Sequence, residues 1–328
     1  MPQITVDTSG SLHGLRTVAL ENEFLRVVIL PELGARIFDI IYKPLNVNIL
    51  WHNPTVLPQK QGLGASYDDV WCGGWDELFP TNEAGQIGDK AFPDHGEIWS
   101  SAWNFDVFST AKEASASLSC RTPISDIQIT KAITLRARER KMHVAYSVCN
   151  CSATPFPFLW NLHPALAVSE YHRVNFPSMK VHFQPGHPGT PEGVPLESSW
   201  PMLETREGPL DLRVVPPREA KRMYFLYGAD LPEGWCGLTD SHSRLAYGLA
   251  FDRSVFRSCW LFATYGAWRG LTTVVLEPST GYSRLIETAT QEATCPRLTQ
   301  DRIQTSVVFA IREDIANITS ISPDGDIH

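Results

Sequence analysis

Apolar and polar positions alternate with period two along most of the chain. "MHVAYSVCN" (142–150) sets Met142, Val144, Tyr146 and Val148 against His143, Ala145, Ser147 and Cys149, the pattern of a strand with one face toward a core. "DIQITKAITLRAR" (126–138) alternates through Ile127 and Ile129, slips, and resumes with Ile133 and Leu135. Runs at 24–30, 36–42, 114–120, 222–228, 244–252, 258–265, 271–277 and 306–312 are rich in β-branched and aromatic residues and bounded by Gly, Pro, Asn and Asp, which predicts further strands. No apolar stripe of helical period persists long enough for a long amphipathic helix. The pattern predicts an all-β chain.

Two stretches break it. Residues 51–104 carry Trp51, Trp71, Trp75, Trp99 and Trp103 among glycines and carboxylates, and residues 184–221 hold eight prolines. Irregular segments this long inside a compact domain are usually functional. No internal repeat or low-complexity linker divides the chain, so a single domain over 1–328 is expected.

Composition narrows the function classes. Hydrophobic residues make up 43% of the chain, ample for a large core. The net charge of −8 comes without a basic block, so no surface tracking nucleic-acid phosphates is expected. The first residues lack both the basic and the apolar region of a signal peptide, and no run approaches the roughly 18 apolar residues of a membrane span. Seven irregularly spaced cysteines read as reduced thiols of a cytoplasmic protein.

Three segments offer acid–base chemistry. In "LTTVVLEPSTG" an apolar strand ends on Glu277; a carboxylate there is costly to bury unless paired or used, and otherwise faces water. In "LWNLHPALAV" (159–168), His163 follows Trp160 and Asn161 and is fixed by Pro164, as a proton-transfer group or a hydrogen-bonded structural residue. In "FPDHGEIWSSAW" (92–103), His95 precedes Gly96, which allows the backbone to turn or approach closely, and Glu97.

Together these segments, with "LENEFLRVVILPELGARI" near the start, resemble in order the galactose mutarotase-like (aldose 1-epimerase) family over most of the chain. The resemblance implies a large single-domain twisted β-sandwich and a cofactor-free isomerase that interconverts α and β anomers of a free aldose. Opening and reclosing a pyranose needs a base for the anomeric hydroxyl and an acid for the ring oxygen. The resemblance assigns Glu277 as base, His163 as acid, and His95 as the second histidine, on the ring oxygen or a neighbouring hydroxyl.

"DDVWCGGWDELFPTNEAG" (68–85) adds Trp71, Trp75, Asp76, Glu77 and Asn82, a mixture that can stack on a sugar ring and accept from its hydroxyls, or be aromatic core under a loop. Glu97, Trp160 and Asn161 are further expected sugar contacts. Arg36 could bind substrate or pair within the sandwich. Trp268 and Arg269 sit on a glycine-flanked turn just before the strand of Glu277 and are expected to line the same cleft, Trp268 as a further sugar contact. Arg36, Arg173 and Arg269 could clamp a phosphate or sulfonate on the sugar. A non-catalytic carbohydrate-binding sandwich would keep the tryptophans without needing His163 and Glu277. A metal-dependent isomerase would draw on His95, Glu97, His163, His172 and His182, which lack the close spacing of ligands on one strand face; no metal is expected. Another epimerisation, or a bond cleavage, on the same fold stays open.

Overall fold

A computed structural model describes residues 4–152, 154–299 and 301–328. Contacts gather the chain into two units, Met1–Pro164 with Thr280–Val307, and Ala165–Ser279 with Val308–His328. Neither is a continuous stretch of chain, so no linker between them exists to be read in the sequence.

In the first unit, antiparallel strands run in the order Thr5–Asp7, Val18–Glu21, Leu25–Leu30, Arg36–Tyr42, Trp75–Leu78 and Asn161–Leu166. A second sheet meanders through Asn104–Ser109, Glu113–Arg121, Ile127–Arg136 and Lys141–Asn150. The slip expected in 126–138 is absent: burial alternates strictly through Ile127, Ile129, Lys131, Ile133 and Leu135. A lysine occupies an inward position there, and it bonds across to the first sheet, both Glu77 oxygens lying 2.8 and 2.9 Å from Lys131 Nζ.

The second unit holds Thr272–Ser279, Ser258–Tyr265, Arg222–Ala229, Lys180–His182 and Glu197–Ser199 side by side, and another set in the order Leu245–Phe251, Trp235–Asp240 and His172–Asn175. Thr272–Ser279 runs two residues beyond Glu277, which faces Trp260 across the ladder and is 2% exposed. The carboxylate is therefore buried within a strand and does not face water.

The chain is all-β, built of large antiparallel sheets. Among the described residues, no helix is long and apolar enough to cross a membrane.

Candidate functional site

The His163 segment and the aromatic–acidic loop meet through strand pairing in the first unit. His163 lies directly opposite Asp76, and Leu162 opposite Glu77, in an antiparallel ladder. Directly opposed residues share a face and successive ones alternate. Asp76 and His163 therefore point one way, while Glu77 points the other.

His163 Nδ1 lies 3.2 Å from Asp76 Oδ1 and 3.1 Å from the Tyr67 hydroxyl. Tyr67 comes from the short helix Tyr67–Val70, and its O–H donates to Asp76 Oδ2 at 2.9 Å. A carboxylate only accepts, so Nδ1 carries a proton toward Asp76. The Arg36 guanidinium sits 2.6 Å from Asp76 Oδ2 and donates to the Gly73 carbonyl at 2.6 Å. Burial alone would raise the Asp76 pKa; Arg36 foremost, with the His163 and Tyr67 hydrogen bonds, outweighs it and brings the carboxyl down to about 2. Asp76 is thus ionised at neutral pH. The Tyr67 phenol is held well above its ordinary value, by burial first and by Asp76 second, and stays a neutral donor.

His95 completes the group. Its ring stacks on Tyr67 with centroids 3.8 Å apart and stands perpendicular to His163 at 6.2 Å. Its Nδ1 lies 2.9 Å from Asp94 Oδ2 without hydrogen-bond alignment. His95 and Gly96 both adopt left-handed backbone, φ 60° and 74°. A Cβ on Gly96 would fall 2.0 Å from the Phe79 carbonyl oxygen, so the close approach expected of this glycine is a steric requirement. The His95 N–H donates to the Asn82 carbonyl at 2.9 Å, and Asn82 Nδ2 is buried with no acceptor among the described residues. Trp71 meets the His163 ring at 5.7 Å. Trp160 meets Tyr146 edge-on at 5.0 Å, and Asn161 is fully buried beside it in the sequence.

Several expected sugar contacts are occupied otherwise. Glu77 faces the interior between the sheets, where Lys131 and Tyr146 Oη (2.7 Å) bond its carboxylate; the strand's alternation removes it from the face of Asp76. Trp75 shares the face of Glu77 and is fully buried. The Glu97 carboxylate accepts from the Ile124 and Ser125 amides at 2.7 and 3.2 Å and from the Ser125 hydroxyl, tying down a turn. Arg36 pairs within the sandwich. Arg173 binds Asp211 at 2.9 Å, a carboxylate it shares with Arg213. Among the described residues, no group of three His, Cys, Asp or Glu is arranged to hold a metal ion. Trp268 and Arg269 lie on the turn of the Ser258–Tyr265 and Thr272–Ser279 hairpin in the second unit.

Tyr67 was not singled out in the sequence, although it bonds both Asp76 and His163. A tyrosine just ahead of the acidic "DDVW" run carries no contrast that marks it. Lys131 was readable as the apparent slip in an otherwise regular strand.

No family model matches the sequence. Solved structures do resemble it in fold. A provisionally named aldose 1-epimerase from Klebsiella pneumoniae superposes with a TM-score of 0.69 at 10% identity, over 95% of this chain and 84% of its own. A galactose mutarotase-like protein from Clostridium acetobutylicum gives 0.68 at 14%, over 95% and 99%. A galactose mutarotase related enzyme from Lactobacillus acidophilus gives 0.62 at 12%, over 93% and 100%. The sheets, their order along the chain and these superpositions agree: the chain has the galactose mutarotase-like β-sandwich fold.

Proposed function

We propose that the protein is a sugar mutarotase, an aldose 1-epimerase that interconverts α and β anomers of a free aldose by acid–base catalysis without a cofactor. The observation that carries the reading is the histidine held at Nδ1 by the ionised Asp76, with a second histidine 6.2 Å away. A fold alone hosts many chemistries; this arrangement is what narrows them.

His163 is the general acid. With Nδ1–H anchored on Asp76, Nε2 gives its proton to the ring oxygen, and the Asp76 charge compensates the imidazolium before transfer. Glu277 is the base that takes the anomeric hydroxyl proton. The C1–O5 bond opens to the aldehyde, the C1–C2 bond rotates, and the two groups reverse roles to close the ring on the other face. His95 and the amide of Asn82 supply donors to the ring oxygen or a neighbouring hydroxyl. Positioned acid and base groups contribute about 10²–10⁴-fold each, sufficient for a reaction that already proceeds slowly in water. The reading takes the setting as cytoplasmic, as the seven irregularly spaced cysteines of the sequence suggest, and a small sugar is the partner it requires, with no nucleic acid or membrane.

Magnetisation exchange between α and β anomeric protons tests this by NMR, over neutral, 6-phosphorylated and 6-sulfonated hexoses. Wild type accelerates exchange; Glu277→Gln and His163→Asn abolish it. Sugar binding without exchange in wild type would make the protein a carbohydrate-binding module. Exchange unaltered in both variants would reassign the catalytic groups.

A further inference from the structure

Along the strand Ser258–Tyr265 every residue is buried except Phe262, which is half-buried. A ring in the middle of a central strand that keeps part of its surface accessible is available for an apolar ligand face. Phe262 lies opposite Val275 in one direction and Phe225 in the other, while Trp260 lies opposite Glu277. Residues two apart share a face, roughly 7 Å from each other. Phe262 is therefore one pleat row from Glu277, on the same face of the same sheet.

Two half-buried rings flank it. Trp268 meets Phe262 edge-on at 5.6 Å. His187 lies over Phe225, the cross-strand neighbour of Phe262, at 4.7 Å. Both sit in hydrogen-bonded turns. The Trp268 N–H donates to Thr264 Oγ1 at 3.0 Å, its carbonyl accepts from Leu271 at 2.9 Å, and Arg269 holds a left-handed φ of 50°, a conformation that costs energy for a side-chain-bearing residue. His187 Nδ1 accepts from the Gly189 N–H at 2.9 Å, which makes Nε2 the ring's donor. The Arg269 guanidinium covers the Trp268 ring at 5.1 Å.

Partly open aromatic rings bordered by a few fixed polar donors match a pyranose, whose C–H face packs on rings while its hydroxyls seek partners. We propose that Phe262, Trp268 and His187 form a subsite for a second sugar ring, so that the substrate is the reducing end of a disaccharide or longer chain. This rests on the mutarotase reading for the role of Glu277, and the cradle itself lies wholly in the second unit.

The test compares glucose and galactose with maltose, cellobiose and lactose, in wild type, Trp268→Ala and Trp268→Phe. Anomeric exchange gives kcat/KM, and saturation-transfer NMR gives binding. Wild type prefers at least one disaccharide over its monosaccharide. Trp268→Ala lowers that preference about tenfold, the order expected of one lost stacking contact, and Trp268→Phe largely restores it. Exchange of monosaccharides with no disaccharide preference, or a preference that Trp268→Ala leaves intact, overturns the subsite and spares the mutarotase reading. Disaccharide binding that depends on Trp268 without any exchange sustains the subsite and removes the mutarotase. Absence of disaccharide binding altogether overturns the subsite.

Discussion

Replacing Asp76 with asparagine keeps the shape of the side chain and removes its charge. The residue is fully buried against Arg36, Tyr67 and His163, so Arg36, 1% exposed, would be left as an uncompensated buried cation. Breaking a buried pair from one side costs about 3–5 kcal/mol. An independent figure comes from titration. A carboxyl lowered to about 2 in the folded protein, against an ordinary value near 3.9, corresponds to a stabilisation on the order of a few kcal/mol. The two agree in order of magnitude. Because the folded pKa is depressed, this stabilisation is complete above the ordinary value and is lost as pH falls toward about 2, with roughly half remaining at pH 3. Urea unfolding of wild type and Asp76→Asn at pH 7 and pH 3 reads both quantities. The expected gap is about 3–5 kcal/mol at pH 7, smaller at pH 3. A gap below about 1 kcal/mol at pH 7, the scale of an exposed pair, or one unchanged in acid, would refute the account of the cluster.

Lys131→Met should destabilise the fold by about 3–5 kcal/mol, because it strands the buried Glu77 charge; the double variant Lys131→Met with Glu77→Leu should recover most of it in the same denaturation assay. Tyr67→Phe removes the hydroxyl between Asp76 and His163 and should cost about 1 kcal/mol of stability, while anomeric exchange falls more than sugar binding does, read as kcat against KM. Gly96→Ala forces a Cβ onto the Phe79 carbonyl at a left-handed φ and should lower the thermal midpoint by several degrees; unchanged melting would contradict the described turn.

The strands were legible because one face of nearly every one is apolar and their ends carry turn residues: 36–42 and 258–265 coincide with observed strands. What the period could not deliver was the partner of each strand. Asp76 and Glu77 are adjacent carboxylates with no visible difference in the sequence. Only the ladder that sets His163 opposite Asp76 separates a residue that orients the histidine from one that neutralises a buried lysine. The same limit hid Lys131, since a charged residue at an inward position looks like an interruption until its counter-ion on another sheet is known. His163, His95 and Glu277 stood out because their residue types and neighbours are unusual within oily or turn-like segments. Tyr67 did not, since a tyrosine before an acidic run carries no such contrast. The loop of tryptophans likewise gave chemistry without direction: Trp71 turns to His163 and Trp75 turns to the core.

The discontinuity of the two units bears on how the protein is made. The first unit begins at the amino-terminal end of the chain, yet it includes Thr280–Val307. Arg297–Leu298 pairs with Phe156–Pro157, and Thr280 exchanges hydrogen bonds with Trp160. A growing chain that has passed residue 164 must therefore wait for well over a hundred further residues, on the order of ten seconds of translation, before those pairings can form. During that interval the strand bearing His163 emerges from the ribosome without them. Its apolar residues are then candidates for chaperone capture, and early termination of translation upstream of residue 280 would yield a fragment unable to complete even its first unit.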